Sequence, residues 1–241
     1  MSNLYESNIY ALYEENGDVR DSAITLRTNL EFASIDKELT SVTVTSAEMS
    51  VGKSTVAIAL GMAMAESGRR TLIIDNDFRN PQIELRLKVR GTHSIQDVLS
   101  GRVAPMDACI PTRMENLYVL DLGSRRINNA VDLLRSGRYK RLVEQLRQLF
   151  DFVIIDTPPV GMFIDAALAA QLTDGAVFVI NAGKTNGKDV KEALVQMEKA
   201  NVRVLGAVLN NVVRAHSNYY YYDRQGRRKK RRGSGTENGG R

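Results

Sequence analysis

The chain has 241 residues, 43% apolar and 25% charged, with one cysteine, two histidines and no tryptophan. That length supports one large domain burying roughly 70–75% of its unfolded surface, while a lone Cys109 excludes a disulfide framework and a multi-cysteine zinc site, leaving it as a packing residue. The formal charge of +5 suggests a nucleic-acid partner only until it is located: residues 223–241 hold 8 of the 33 Lys and Arg against 2 of the 28 Asp and Glu, which leaves 25 against 26 elsewhere.

The opening MSNLYESNIYALYEENGD has neither a basic nor an apolar leader region, so no signal peptide is expected. Residues 1–20 read as a partly amphipathic N-terminal segment whose Tyr5, Tyr10 and Tyr13 are not site candidates. Residues 21–34 predict a helix with Ala23, Ile24, Leu26, Leu30 and Phe32 partly aligned on one side. Continuously apolar, β-branched runs then predict buried strands at 42–45, 71–75, 152–156, 176–180 and 204–209, with a weaker one at 117–120. Helical patterns fill 54–67, 130–149, 165–172 and 188–200. Strand and helix alternate, which implies right-handed βαβ crossovers and a mostly parallel sheet with helices on both faces, an α/β fold over residues 21–213. The least polar stretch, 55–65, is about half as long as a bilayer crossing requires. From residue 214 onward apolar periodicity is lost, and 214–241 reads as a disordered tail rich in tyrosine and basic residues.

The chemistry concentrates where strands end. After the first strand comes Ser46-Ala47-Glu48-Met49-Ser50-Val51-Gly52-Lys53-Ser54-Thr55, leading into a helix. A phosphate cradle needs inward backbone N–H groups at a helix N-terminus, a lysine for the β- and γ-phosphates and a hydroxyl for Mg²⁺. Gly52, Lys53 and Ser54 supply these, although Ala47 stands where the usual pattern has its first glycine. The domain is therefore read as a P-loop NTPase. Asp156 closes the strand 152–156 ahead of Thr157-Pro158-Pro159, as a metal-holding carboxylate does. Asp75 and Asp77 end the strand 71–75 at an i, i+2 spacing that aims both the same way if the strand continues. Such a pair could divide metal binding and proton acceptance from an incoming hydroxyl.

In this order the segments resemble the bacterial tyrosine kinases of capsule and exopolysaccharide synthesis, deviant P-loop proteins grouped with the Min and Par ATPases. Residues 46–55 look like the Walker A motif, Ile73-Ile74-Asp75-Asn76-Asp77-Phe78-Arg79-Asn80-Pro81 like Walker A′, and Val153-Ile154-Ile155-Asp156-Thr157-Pro158-Pro159 like Walker B. Arg27-Thr28-Asn29-Leu30, Asp97-Val98-Leu99-Ser100-Gly101, Asp132-Leu133-Leu134 and Gly206-Ala207-Val208-Leu209-Asn210 extend the likeness over roughly residues 20–213. The resemblance implies ATP and Mg²⁺ as cofactors. It places residues 47–55 and Asn210 around the nucleotide, Ser54, Asp77 and Asp156 at the metal, and Lys53, Asp75 and Asp77 in catalysis.

Two departures stand out. The family loop reads Pro-Gly-Glu-Gly-Lys-Ser, and here its first three positions are Met49, Ser50 and Val51, which strains a turn that favours glycine and removes an acceptor. The family's Glu-x-x-Arg-x-x-Arg assembly helix becomes Asp21, Ile24 and Arg27, with an apolar residue at one charged position, so self-association stays open.

Beyond the last strand stand Tyr219, Tyr220, Tyr221 and Tyr222, flanked by polar and basic residues that argue against burial. The resemblance makes them the autophosphorylation targets. Arg227-Arg228-Lys229-Lys230-Arg231-Arg232 follows as a solubilising run or a contact with anionic lipid, with nucleic acid ranked last. The implied partner is a membrane polysaccharide co-polymerase whose cytoplasmic segment activates the kinase, holding a cytoplasmic protein at the inner membrane face. A Min- or Par-type positioning ATPase, disfavoured by Glu48 where that group carries a lysine, and a catalytically weak nucleotide-binding scaffold remain as alternatives.

Overall fold

The structure is a computed structural model and describes residues 9–33, 38–120 and 129–212. Seven strands form one sheet: β1 (Ser41–Ser46), β2 (Thr71–Asp75), β3 (Cys109–Pro111), β4 (Leu117–Leu120), β5 (Phe152–Asp156), β6 (Ala176–Asn181) and β7 (Val204–Asn210). Their spatial order is β3-β4-β2-β5-β1-β6-β7, and β3 against β4 is the antiparallel pair. Parallel strands bury both faces, which is why the runs carry no polar alternation. On one face Val42, Val44, Ile73, Ile154 and Val179 pack against α1 (Ile9–Glu15), α2 (Gly17–Phe32) and α3 (Lys53–Glu66). On the other, Leu72, Ile74, Val153 and Ile155 share a core with Tyr139, Leu142 and Leu146. Each fully buried side chain of this size contributes roughly 1.5–3 kcal/mol.

The remaining helices are α4 (Ile83–Leu87), α5 (Ile95–Leu99), α6 (Ala130–Arg135), α7 (Gly137–Leu149), α8 (Asp165–Ala170) and α9 (Gly187–Lys199), with a 3₁₀ turn at Pro105–Ala108. The helix expected over 130–149 is therefore two. Ser136 adopts an extended backbone and its Oγ accepts the Tyr139 N–H at 3.1 Å, so it ends α6 and caps α7. The N-terminal helix starts at Gly17 instead of residue 21, and α1 precedes it with Ile9, Tyr10 and Tyr13 buried in the core. Tyr13 donates to Glu66, which also pairs with Arg20, so both helices are fastened to the end of α3. The strand at 204–209 was expected to be buried. It lies at the sheet edge with Leu209 61% exposed, since only β6 flanks it. Cys109 is buried as a packing residue, its thiol pushed up to about 12 by desolvation.

The strand order places β2, β5 and β1 side by side, so the ends carrying Asp75, Asp156 and the phosphate loop share one edge. Ligands of open α/β sheets bind at that carboxyl edge. Among the described residues no helix is long and apolar enough to cross a membrane. Tyr219 to Tyr222 and the basic run lie outside the described residues.

Candidate active site

Residues 47–52 link β1 to α3, and the three departures from the family loop land in three environments. Met49 is 59% exposed, Val51 is buried, and Ser50 holds a left-handed φ of +60°. The turn keeps its glycine-like conformation with a Cβ present, at a cost of about 1 kcal/mol. Gly52, at φ +98°, is the N-cap of α3. A Cβ there would collide with the Asn210 amide, whose Nδ2 donates to the Val51 carbonyl at 2.8 Å, so the end of β7 is closed onto the loop. The start of the loop is gripped as well: Val160 N–H donates to Ser46 O at 2.9 Å, and a Cβ on Gly161 would meet the Ala47 carbonyl. Ser46 Oγ donates to the Glu48 carbonyl at 2.6 Å. Only glycine at 161 lets the segment after β5 approach this closely, a requirement invisible in the sequence.

Lys53 opens α3 and is only 7% exposed. Burial lowers its pKa, while the charges of Asp156 and Asp77 pull it back up. Asp156 is 1% exposed, and neither of its carboxylate oxygens has a hydrogen-bond partner among the described residues. Desolvation raises its pKa, with the Ser54 hydroxyl and Lys53 opposing that rise and Asp77 adding to it. Asp75 sits in register beside Asp156 on the neighbouring strand. Its carboxyl accepts the N–H groups of Asp77, Gln82 and Ile83 at 3.1, 2.8 and 3.0 Å. Burial and the Asp156 charge nonetheless push it up to about 8. Asp77 is less enclosed and accepts from the N–H groups of Arg79 and Asn80 at 3.3 and 3.0 Å, with its pKa raised by desolvation.

The structure thus brings Lys53, Asp75, Asp77 and Asp156 into one charged corner. Asp75 is saturated by backbone donors and anchors the start of α4, whereas Asp156 and Asp77 keep acceptor capacity. Asn210 touches the loop itself. Arg79, not singled out from sequence, stacks on Phe163 at 4.0 Å and pairs with the buried Asp165 at 3.3 Å, tying the segments after β2 and β5 together. Arg86 was also missed: it comes from α4 and donates to Thr55 Oγ1 at 2.9 Å. On α2, Ile24 packs against the core, while Arg27 bonds the Ala63 carbonyl at 3.0 Å and sits 3.7 Å from Glu31.

A buried carboxylate with two unpartnered oxygens, a serine hydroxyl beside it and a second aspartate nearby fit a hard, oxygen-liganded divalent cation. No group of three or more His, Cys, Asp or Glu among the described residues could hold a metal on its own. Such a cation would therefore complete its shell with water and phosphate oxygens, as Mg²⁺ does.

The ParA family model, described as NUBPL iron-transfer P-loop NTPase, matches residues 39–230. The chain is 34% identical to a tyrosine-protein kinase named CpsD from Streptococcus agalactiae, over 86% of this chain and 90% of that one. Among solved structures, the chimerical protein CapA2B2 superposes with a TM-score of 0.80 at 30% identity, covering 86% of this chain and 91% of the other. The kinase domain of the Escherichia coli tyrosine kinase ETK also scores 0.80, at 27% identity, over 89% of this chain and 84% of the other.

Proposed function

Since the chain belongs to the bacterial tyrosine-protein kinases, built on the ParA-type P-loop scaffold and using a nucleotide, we propose that it transfers the γ-phosphoryl group of ATP·Mg²⁺ to its own Tyr219, Tyr220, Tyr221 and Tyr222. The observation that carries this reading is the Asp156 carboxylate, buried beside Lys53 and Ser54 with both oxygens unpartnered. Among the described residues no backbone donor reaches this carboxylate, so it keeps acceptor capacity for a cation.

In this mechanism the backbone N–H groups of residues 50–54 and the Lys53 ammonium bind the phosphate chain. Ser54, Asp77 and Asp156 would hold the cation, which would supply positive charge against the charge that develops on the phosphates. A phenol oxygen from the tail forms a bond to the γ-phosphorus as the bond to the β–γ bridging oxygen breaks. Asp77 accepts the phenol proton. Its greater exposure favours it over Asp75, whose oxygens accept from three backbone donors. Asn210 holds the loop against β7 and borders the base of the nucleotide.

The partner is a membrane polysaccharide co-polymerase whose cytoplasmic segment activates transfer and keeps the kinase at the inner membrane face, regulating capsule or exopolysaccharide synthesis. Support comes from the sequence resemblance. The tail carries a local +6, and each added phosphate contributes roughly −1.5 to −2. Full modification would cancel or reverse that charge. The test is phosphotyrosine mapping of the full chain after incubation with ATP·Mg²⁺, with and without the cytoplasmic segment of a co-polymerase. Label at 219–222 that disappears in a Lys53→Ala variant is expected, and label absent from those tyrosines in both arms refutes the tail as acceptor.

A further inference from the structure

We infer that Arg86 is a positioning residue of the phosphate site, orienting the Thr55 hydroxyl so that the Thr55 proton is presented to a nucleotide phosphate oxygen. The inference rests on the reading of residues 47–55 as the phosphate cradle. Helix α4 is short and is placed from both sides of the site. Asp75 accepts its leading N–H groups from Gln82 and Ile83, and Ile83 and Leu87 are buried one turn apart. That anchoring turns Arg86, half-buried, toward the first turn of α3, where Nη1 donates to Thr55 Oγ1 at 2.9 Å.

The chemistry of the two groups fixes the direction. A guanidinium only donates, and a hydroxyl has one donor and two acceptor positions. Arg86 therefore occupies a lone pair of Thr55, and the Thr55 proton must find another acceptor. Elsewhere in the helices such protons go to the carbonyl four residues back: Ser22 to Asp18 at 2.7 Å, Thr25 to Asp21 at 2.8 Å and Thr28 to Ile24 at 2.9 Å. For Thr55 that carbonyl is Val51 O, which already accepts from Asn210 Nδ2 at 2.8 Å. Among the described residues the Thr55 hydroxyl donates to no carbonyl. Its proton is left for a ligand at the mouth of α3, two residues beyond Lys53, polarised by the cation behind it. A neutral hydroxyl backed by a guanidinium is a stronger donor to a phosphate oxygen than a hydroxyl that has bonded its own helix.

The experiment is a double-mutant cycle on ADP affinity, measured by calorimetry on the full chain with Mg²⁺ present and again with it chelated. Arg86→Met and Thr55→Val are each expected to weaken ADP binding about tenfold, the size of one hydrogen bond to a charged acceptor. The double variant should be no weaker than either single one. Arg86→Lys, which keeps a donor, should recover most of the loss when Thr55 is present and none in Thr55→Val. Wild-type affinity in Arg86→Met overturns the inference. So do losses that multiply in the double variant, or a recovery by lysine that is independent of Thr55. Melting without nucleotide identifies a variant that has failed to fold, and Arg86→Lys then carries the test alone. Lys53→Ala separates the two levels: ADP affinity unchanged there removes the phosphate-site reading itself and the inference with it, whereas a loss there beside an unaffected Arg86→Met removes only the role of Arg86.

Discussion

The two edges of the sheet each bury an aspartate close to a cation, and treat it oppositely. At the edge where the central strands begin, Asp174 accepts the N–H groups of Thr40 and Ser41, both at 3.0 Å, the Ser41 hydroxyl at 2.9 Å and the Arg147 guanidinium at 2.8 Å. Burial pushes this carboxyl up, but the Ser41 and Thr40 hydrogen bonds and the Arg147 charge outweigh it and leave the pKa lowered. At the edge where the same strands end, Asp156 accepts no backbone N–H among the described residues, and although the Ser54 hydroxyl and the Lys53 charge lower its pKa, desolvation leaves it raised. A cavity of about 370 Å³ lies beside Asp174, whose carboxylate is already paired with Arg147. Charge that is buried and satisfied holds a fold together, and charge that is buried and left open is held ready for a ligand.

The sharpest way to break this contrast is to neutralise each aspartate in turn. Asp156→Asn should lower tyrosine phosphorylation at least about a hundredfold, since the cation and the charge it balances lose their main protein ligand. The same change should raise the melting temperature of the nucleotide-free protein by relieving a desolvated charge beside Asp75, a gain of about 1–2 kcal/mol. A variant that loses stability while keeping its phosphorylation rate per folded molecule would place Asp156 in the same class as Asp174.

Asp174→Ala should do the reverse. Its side chain is 5% exposed, and removing it strands Arg147 and the donors at the start of β1. Breaking this half-buried pair and the hydrogen bonds to Thr40 and Ser41 should cost about 1–3 kcal/mol. Denaturant unfolding should show that loss, while the phosphorylation rate per folded molecule stays within about twofold, because neither residue approaches the phosphate loop.

Those two positions also show what could be read in advance. The acid at the end of each apolar run was legible because a buried parallel strand has no other use for a carboxylate at its C-terminus. Asp75, Asp77 and Asp156 are legible on this basis, and the phosphate loop from Gly52-Lys53-Ser54 between a strand and a helix. What stayed hidden depends on the packing of elements distant in sequence. Arg86 belongs to a five-residue helix that exists because Asp75 caps it, and no periodicity marks so short a piece. The Gly161 contact and the Arg79 stack involve segments more than 80 residues apart. Tyr10 and Tyr13, in the segment read as partly amphipathic, are buried because α1 lies against the core and Glu66 of α3 accepts the Tyr13 hydroxyl. Β-branched runs also look alike whether central or at an edge, which is why β7 was expected to be buried.

The contrast extends to pH, with opposite signs. Asp75 is raised to about 8 in the folded protein from an ordinary 3.8, so the folded state binds the proton more tightly. Its contribution is fully present below about pH 4 and is lost as the pH climbs through 8 in the nucleotide-free protein. Asp174, lowered on folding, contributes above the ordinary carboxylate pKa and loses that contribution in acid. Unfolding free energies between pH 3 and 9 should therefore fall at both ends. Asp75→Asn should reduce the fall with rising pH and leave the part that Asp156 and Asp77 carry, and Asp174→Ala should reduce the acid fall and leave the part that Asp97 and Glu66 carry. A fall with rising pH that is unchanged in Asp75→Asn assigns it to the other groups.

The smallest effect tests how tightly the open edge is built. Ser50 holds φ +60°, where a Cβ is disfavoured, and glycine occupies this position in the family loop. Ser50→Gly removes that strain but gives the unfolded chain more freedom, and the two terms differ by less than about 1 kcal/mol. Stability should then move little in the direction of a gain. Gly52→Ala is the counterpart, because its added methyl group meets the Asn210 amide at φ +98° and must displace the contact that closes β7 onto Val51. ADP affinity should fall markedly in Gly52→Ala and change less than about threefold in Ser50→Gly, as only the first alters the position of backbone donors in the cradle. Equal losses in both would mean that the serine side chain itself touches the nucleotide, and that the loop departs from its relatives in chemistry as well as in strain.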